Sequence, residues 1–412
     1  MERESALLIQ IQSPDGDWLD VGHLYRHNER SWFEFDDSYW SRANRPILGQ
    51  IFEEDGRTWQ GHTQVALPRW FSHLLPEGML RDAVARAAGV NRKREFELLR
   101  RLGSTDLPGA IRAVEVSEVR DLARAPAELD EGEDVESEPL LKFSLAGAQL
   151  KFSIYGDGRG LTVPASGQAG NFIVKFPDGR PGKDRVPESE FAAMELARAT
   201  GITVPGTRLI NPTEIYGLDE WTKGSTGLAL AVERFDRKDD GQRVHMEELA
   251  QILNIPTSRE QAKYLNANFE TVAIFVAALA GVEAVGEVID RIVLNILVGN
   301  GDAHVKNWSF LYPDGRHPQL SPVYDVLPTV LFVQNDDLGM NLNGSKDFAA
   351  MTSKSFDSLA SRSGYGVELA RLRARDAVER TMASWEILKT YLSTDQYRVL
   401  TDRAAALPML TD

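Results

Sequence analysis

The chain has 412 residues, of which 42% are hydrophobic, and its formal net charge is -15. This length allows two or three domains, and the acidic balance disfavours a protein whose main task is to grip nucleic acid directly. The absence of cysteine excludes disulfides, thiolate metal sites and cysteine nucleophiles, and it suits a reducing compartment. Acids within the first five residues are not typical of a signal peptide, so we expect a cytoplasmic protein without a membrane partner.

The first 127 residues predict a subdomain in which strands precede helices. Residues 6–11 and 18–24 flank a turn sequence at 13–16, as in a β-hairpin. Residues 32–35 alternate like a further strand, and residues 67–103 change to amphipathic helices.

An acidic segment follows this subdomain. Residues 128–138 contain seven acids and no base, a composition typical of a solvated linker, whereas an acidic binding tail is the alternative. We therefore place a linker or loop at 128–139, a nucleotide-binding N-lobe at 140–240 and a helical C-lobe at 241–412.

The N-lobe begins with a candidate phosphate loop. Residues 143–152 combine strand-like ends with a turn of small residues, which lets backbone N–H groups approach phosphate oxygens. A plain hairpin turn is the alternative. The turn consists of Ala146, Gly147, Ala148 and Gln149.

A lysine stands in the middle of the next predicted strand. Lys175 follows Phe, Ile and Val residues, and a lysine is rarely buried unless it is paired. Glu188 or Glu190, at the start of the following predicted helix, is a candidate partner, because protein kinases pair a strand lysine with a helix glutamate. A snorkelling edge lysine is the alternative.

Residues 228–237 predict an apolar strand that runs into a charged segment. In a two-lobed kinase this is the hinge, where the backbone of Glu233 to Phe235 would bind adenine; an edge strand leaving the sheet is the alternative. From residue 245 onward the pattern is mostly helical, with helices predicted at 246–253, 269–279, 282–298, 367–390 and 394–407.

The most informative stretch is the glycine-punctuated loop at 299–307. Asp302 is followed five residues later by Asn307, and Asp325 lies further downstream. Protein kinases place a catalytic Asp, a metal-binding Asn and a second metal-binding Asp in this order. Taken alone, the loop is ordinary turn chemistry, but Lys175 upstream and Asp325 downstream favour the kinase interpretation. His304 either contacts a phosphate or braces the loop.

With these residues in hand, the sequence resembles the HipA family of toxin kinases over nearly its whole length. The matching motifs lie at 74–78, 107–110, 144–151, 172–177, 188–190, 233–237, 300–307 and 324–325. The resemblance implies an α+β, two-lobed protein-kinase-like fold with a β-rich N-terminal subdomain and an all-helical C-terminal lobe, in the long form that carries its own N-terminal piece.

The resemblance also implies an activity and partners. The family phosphorylates serine or threonine with ATP and Mg²⁺, acts as the toxin of a type II toxin–antitoxin system, and slows growth and promotes persistence by modifying translation components such as an aminoacyl-tRNA synthetase. A helix-turn-helix antitoxin of HipB type is the expected partner, and the toxin contacts DNA mainly through this antitoxin. The complex can contain a toxin homodimer. Inhibitory autophosphorylation is implied at Ser144.

These considerations assign a role to each candidate residue. Asp302 is the catalytic base, Asn307 and Asp325 bind the metal, and Glu190 is the candidate partner of Lys175. The predicted ATP-binding residues are Lys175, Ala146, Gly147, Ala148, Gln149, Glu233, Phe235 and His304. Two alternatives stay open at this point: a small-molecule phosphotransferase of aminoglycoside-kinase type, and a non-enzymatic corepressor that bridges antitoxins on DNA.

Overall fold

The computed structural model describes residues 4–56, 62–104, 106–116, 151–157, 160–162, 169–177, 182–183, 185–217, 227–259 and 261–412. Within these ranges the chain is α+β, with a β-rich N-terminal part and a largely helical C-terminal part, which confirms the predicted fold class. No helix of the described ranges is long and apolar enough to cross a membrane.

The N-terminal subdomain is a five-stranded sheet with helices packed on one face. The predicted hairpin forms: Leu7, Ile9 and Ile11 alternate into the core, each with no exposed surface, and the turn closes with Ser13 donating to the Asp17 carbonyl at 2.8 Å. The sheet order is β4-β3-β2-β1-β5, from β1 (Glu4–Gln12), β2 (Trp18–His27), β3 (Arg30–Phe35), β4 (His62–Gln64) and β5 (Ile111–Glu115). The helices are α1 (Asp37–Trp40), α2 (Gln50–Asp55), α3 (Arg69–Ser72), α4 (Gly78–Ala88) and α5 (Glu95–Leu102).

The N-lobe is a six-stranded sheet carrying one long helix. Its strands are β6 (Lys151–Asp157), β7 (Gly160–Thr162), β8 (Phe172–Lys175), β9 (Thr207–Ile210), β10 (Ile215–Tyr216) and β11 (Ala229–Glu233), in the order β10-β7-β6-β8-β11-β9. Helix α6 (Val186–Ala199) begins with a proline in its first turn, where the missing N–H costs nothing, and with Glu188, which suits the positive end of the helix dipole.

The resemblance implied an all-helical C-lobe, but the C-lobe also contains a three-stranded sheet. Its strands are β12 (His245–Glu248), β13 (Ser309–Tyr312) and β14 (Gln319–Leu320), in the order β12-β13-β14. The helix predicted from residue 246 is therefore a strand first: residues 245 and 247 are buried and alternate with partly exposed neighbours, a period of two that outweighs the helical pattern.

The helices of the C-lobe surround the loop at 299–307. They are α7 (Leu249–Ile252), α8 (Ala262–Leu265), α9 (Phe269–Ala280), α10 (Val285–Val298), α11 (Asp357–Ser363), α12 (Val367–Ala383), α13 (Leu388–Tyr391) and α14 (Thr394–Ala405). Helix α10 is buried along nearly its whole length and ends at Gly299, whose φ of 71° gives the left-handed turn that starts the loop.

One hydrophobic cluster lies in the N-terminal subdomain and another in the N-lobe sheet, whereas the cluster of the C-lobe also includes buried residues of α6. The domain boundaries at 127, 139 and 240 stay predictions, because the acidic segment 128–138 lies outside the described residues.

A buried carboxylate joins the N-terminal subdomain to the C-lobe. Glu247 accepts hydrogen bonds from the indole of Trp70 at 2.7 Å, the backbone N–H of Gln50 at 3.0 Å and the hydroxyl of Tyr312 at 3.0 Å. The side chain is fully buried, and burial raises the pKa of Glu247 to about 7. The contact is thus a satisfied polar anchor inside an apolar interface.

A second buried network joins the N-terminal subdomain to the hinge. Asp236 accepts from both Arg234 and Arg237 at 2.8 Å and from the backbone N–H of Gly109 at 2.8 Å. Asp106 completes the network, at 2.6 Å from Arg234 and 3.0 Å from Arg237. The charges of Arg234, Asp236 and Arg237 therefore hold two parts of the molecule together.

Candidate active site

A cavity of about 480 Å³ lies where the three parts of the molecule meet. This volume is in the range typical of small-molecule sites. Its walls come from the N-lobe sheet, the hinge, the loop at 299–307 and the N-terminal subdomain, whose residues 74–77 of the first family-like motif line it. The predicted residues Lys175, Glu190, Glu233, Phe235, Asp302, His304, Asn307 and Asp325 all line this one cavity.

Local hydrogen bonds fix the conformation of the loop. The Asn300 side chain accepts a hydrogen bond from the backbone N–H of Asp302 at 3.0 Å and donates one to the Asn295 side chain of α10 at 3.0 Å. Gly301 donates its N–H to the Thr329 hydroxyl at 2.6 Å, and a Cβ at this position would lie 2.3 Å from the Asp336 carboxylate. A side chain at position 301 would therefore have to displace the Asp336 carboxylate.

Asp302 is a mostly buried carboxylate held by a phenol. Its side chain is 15% exposed, and its Oδ1 atom accepts a hydrogen bond from Tyr264 of α8. Burial raises the pKa of Asp302 to about 6, against the lowering effects of Lys263 and Tyr264. A carboxylate with such a pKa is largely ionised at neutral pH and accepts a proton more readily than an ordinary aspartate does.

Asn307 and Asp325 supply two oxygen donors beside this carboxylate. The Asn307 amide nitrogen donates to the Asp302 carbonyl at 3.0 Å. The amide oxygen of Asn307 is therefore the atom that would bind a cation. Asp325 has a φ of 55°, a left-handed conformation that Asp tolerates better than most residues. Its neighbour Tyr324 donates to the Lys306 carbonyl at 2.7 Å and so couples Asp325 to the loop.

The donor set fits Mg²⁺ and not an all-protein metal cage. The described residues contain no group of three or more His, Asp or Glu that could hold a metal. Mg²⁺ prefers oxygen ligands and usually keeps several waters while leaning on substrate phosphates. An amide oxygen and one carboxylate match that requirement.

Lys175 is paired as expected, and with Glu190 rather than Glu188. The Lys175 ammonium, 8% exposed, forms ion pairs with Glu190 of α6 and with Asp325. Burial alone would lower the pKa of Lys175, but the two carboxylates outweigh it and hold the pKa above its ordinary value. The ammonium therefore stays charged at the centre of the cavity and is not a snorkelling edge residue.

The hinge offers fewer backbone donors than predicted. The N–H of Glu233 donates to the Gly206 carbonyl at 2.7 Å and that of Arg234 to the Asn171 carbonyl at 2.9 Å. This leaves Phe235 as the candidate donor among the three. The ring of Phe235 lies 5.6 Å from the ring of Tyr324 and forms an apolar wall of the cavity. Binding of adenine here stays a prediction.

His304 is a neutral imidazole inside the cavity. It is 5% exposed, and neither ring nitrogen has a hydrogen-bond partner among the described residues. Its Nε2 atom lies 3.9 Å from Asp302 Oδ1, beyond hydrogen-bond distance. Burial, with Lys263 nearby, lowers the pKa of His304 well below its ordinary value. An unpartnered buried nitrogen favours a contact with a bound phosphate over bracing of the loop.

Sequence reasoning missed four residues of the site. Lys151 sits directly opposite Lys175 in the β6–β8 ladder and lines the cavity. Lys306, within the loop, pairs with Glu77 at 2.8 Å and lies 3.5 Å from Glu248. The charges of Lys151 and Lys306 were visible in the sequence, but nothing in the sequence pointed to Tyr264 or Lys263, because only the fold brings α8 beside Asp302.

The predicted phosphate loop and phosphorylation site lie outside the described residues. This applies to Ser144, Ala146, Gly147, Ala148 and Gln149. Their predicted roles are neither supported nor opposed by the structure.

Two family models match the chain. Residues 17–114 match the model described as HipA N-terminal domain, and residues 143–385 match the model described as HipA-like C-terminal domain. The chain belongs to the HipA family. The resemblance inferred from its motifs is thereby confirmed.

Relatives of this HipA-family chain carry kinase names. A Sinorhizobium fredii protein named "Putative kinase Y4dM" is 39% identical over 371 residues, 88% of each chain, and a second, "Putative kinase Y4mE", is 31% identical over 339 residues, 76% of each chain. The serine/threonine-protein kinase toxin HipA of Shewanella oneidensis is 26% identical over 296 residues, 63% of this chain and 62% of that protein. The chain is thus a member of a kinase family.

A solved structure confirms the fold. HipA in the Shewanella oneidensis MR-1 complex of HipA, HipB and operator DNA superposes on this chain with a TM-score of 0.72. The superposition covers 97% of this chain and 95% of the HipA chain. Its identity to this chain is 20%, so the likeness concerns the fold.

Proposed function

We propose that this HipA-family chain is an ATP- and Mg²⁺-dependent serine/threonine protein kinase that acts as the toxin of a type II toxin–antitoxin system. The observation that carries the proposal is the convergence of Lys175, Asp302, Asn307 and Asp325 on one cavity. A paired lysine, a carboxylate base and two oxygen ligands are the parts that phosphoryl transfer to a hydroxyl requires.

Each side chain has a role in the proposed step. Lys175 binds the α- and β-phosphates of ATP, and the neutral imidazole of His304 donates to a phosphate oxygen. Asn307 and Asp325 would hold Mg²⁺, which would supply neutralisation of the charge on the phosphates. The acceptor hydroxyl attacks the γ-phosphorus; the new O–P bond forms, the bond to the bridging oxygen of ADP breaks, and Asp302 takes the hydroxyl proton. Positioning and charge neutralisation supply most of the rate enhancement.

Substrate and partners are further parts of the proposal. A translation component such as an aminoacyl-tRNA synthetase is the expected acceptor protein, and growth inhibition with persistence is the expected outcome. A helix-turn-helix antitoxin of HipB type is the expected partner, and contact with DNA runs mainly through it, with two toxin copies in the complex. The HipA, HipB and operator DNA composition named for the structurally similar complex supports this assignment. Autophosphorylation of Ser144 is proposed to switch the enzyme off.

The proposal is tested by replacing Asp302. Asp302→Asn should abolish phosphate transfer and growth inhibition, with a loss of about 10² to 10⁴ in rate, and should leave ATP binding intact. Asp395→Asn, at an exposed surface pair with Arg398, is the control and should transfer normally. Labelled ATP should mark protein in bacterial lysate. Label on an added aminoglycoside instead would indicate a small-molecule kinase, and repression without any transfer would indicate a corepressor.

A further inference from the structure

The hydroxyl of Tyr264 lies where an acceptor hydroxyl must lie. It donates a hydrogen bond to Oδ1 of Asp302, and a catalytic base must be within such a distance of the proton that it removes. The ring of Tyr264 also packs edge-on against His304, with centroids 5.1 Å apart. A protein hydroxyl therefore occupies the hydrogen-bonding position at Oδ1 of Asp302 in this structure.

The phenol is suited to hold this place, because its hydroxyl donates and the carboxylate oxygen of Asp302 accepts. The hydrogen bond satisfies a buried carboxylate that would otherwise need water, and water beside the base and ATP would be a competing acceptor.

The element that carries Tyr264 is small. Helix α8 is a single turn of four residues in the connection between α7 and α9, where Ala262 and Lys263 are buried but Leu265 is 69% exposed. One face of α8 is thus anchored while its end reaches solvent. A docking protein can contact this end, and a single turn is cheaper to displace than a long packed helix.

We propose that Tyr264 is a built-in stand-in for the acceptor. It occupies the acceptor position at Asp302 while no substrate is bound, excludes water from the base, and yields this position to the incoming serine or threonine hydroxyl. The inference rests on the proposed role of Asp302 as catalytic base. It makes Tyr264 a positioning residue that suppresses futile hydrolysis of ATP.

The test is the rate of ATP hydrolysis without any protein acceptor. Tyr264→Phe removes the hydroxyl but keeps the ring against His304 and beneath Lys263, 5.3 Å from the centroid. Because the variant loses a hydrogen bond to a charged group, we expect hydrolysis to rise about tenfold or more. Tyr397→Phe is the matched control: that hydroxyl donates to Glu386 at 2.6 Å on the exposed surface, and its loss should change nothing.

A second measurement separates the stand-in role from a packing role. The ratio of acceptor-free hydrolysis to transfer onto the acceptor protein should rise in Tyr264→Phe, whereas a loss of packing should lower both rates together.

Several results would overturn the proposal. Hydrolysis by Tyr264→Phe at or below the parent rate, with a melting temperature like the parent's, would reject the stand-in role, and so would phosphate found on Tyr264 after incubation with Mg·ATP. A failure of the proposed kinase mechanism would give a different result, because Asp302→Asn would then still transfer phosphate. An inactive Asp302→Asn together with an unchanged Tyr264→Phe would reject only the inference about Tyr264.

Discussion

Lys306 of the loop at 299–307 pairs with Glu77 of the N-terminal subdomain at 2.8 Å. The lysine is 11% exposed and the glutamate 44% exposed. Glu248 of β12 lies 3.5 Å from the same ammonium. The N-terminal subdomain thus contacts the loop one residue before the predicted metal ligand Asn307.

The unequal exposure of this pair predicts unequal effects of removing each partner. Glu77→Gln should lower the free energy of unfolding by no more than about 1 kcal/mol, because a half-exposed pair is screened by solvent. Lys306→Met leaves Glu248 and Glu77 without their shared cation and should cost about 2 to 4 kcal/mol. Urea unfolding measures both. Lys389→Met removes the cation of an exposed pair with Glu386 and should be nearly neutral; equal losses in the two lysine variants would contradict the prediction.

Replacing Lys175 should separate binding from stability. Lys175→Met should weaken ATP binding and lower stability while leaving the fold intact, because Glu190 and Asp325 lose their cation. Adding Glu190→Gln to the Lys175→Met variant removes one of the two carboxylates that lost their cation. The double variant should recover part of the stability but none of the ATP affinity. Calorimetric titration and thermal melting give the two quantities. Normal ATP binding by Lys175→Met would show that the lysine serves only the fold.

Asn307 and Asp325 should behave as one metal site. Alanine at either position should raise the Mg²⁺ concentration needed for ATP binding, since each removes an oxygen ligand. The double variant should fall short of the sum of the single effects, because residues that act on one site are not additive. Mg²⁺ titrations at fixed ATP test this, with Asp395→Ala as a control. If either single variant needed the same Mg²⁺ concentration as the parent, the prediction that Asn307 and Asp325 form one metal site would be wrong.

The pKa of Asp302 predicts the acidic limb of the activity profile. Burial raises this pKa to about 6, and a general base must be ionised to accept a proton. The rate should therefore be nearly constant above pH 7 and fall about tenfold for each pH unit below the pKa. Steady-state rates from pH 5 to 8 measure the limb. A limb near pH 4, where an ordinary Asp titrates, would mean that the carboxylate is solvated in the working enzyme.

Sequence reasoning predicted what depends on local pattern and motif spacing. The hairpin at residues 6–24, the strand of Lys175 and the α+β class follow from alternation and order, and all are found. The pairing of Lys175 with Glu190 rather than Glu188 could not be decided, because both acids lie near the start of α6 and only the packing of the helix selects one. Strand β12 was mistaken for a helix, because its burial comes from pairing with β13, more than 60 residues away.

The residues that the sequence did not reveal depend on contacts between distant segments. Tyr264 lies 38 residues from Asp302, and Glu77 lies 229 residues from Lys306. No periodicity or motif encodes such distances. The hinge sequence shows the same limit: its charges suggest a solvated strand end, whereas the structure buries the charged groups of Arg234, Asp236 and Arg237.

The network around Asp236 has a consequence for dissecting the molecule. Arg234 and Arg237 belong to the hinge, but Asp106 and the N–H of Gly109, which complete their hydrogen bonds to Asp236, belong to the N-terminal subdomain. In a minimal fragment without that subdomain, two arginines would share one aspartate on a newly solvated surface, and the cavity would lose the wall formed by residues 74–77. Cutting the gene at the acidic segment would therefore leave the hinge in place but remove Asp106 and Gly109, the residues that complete its hydrogen bonds.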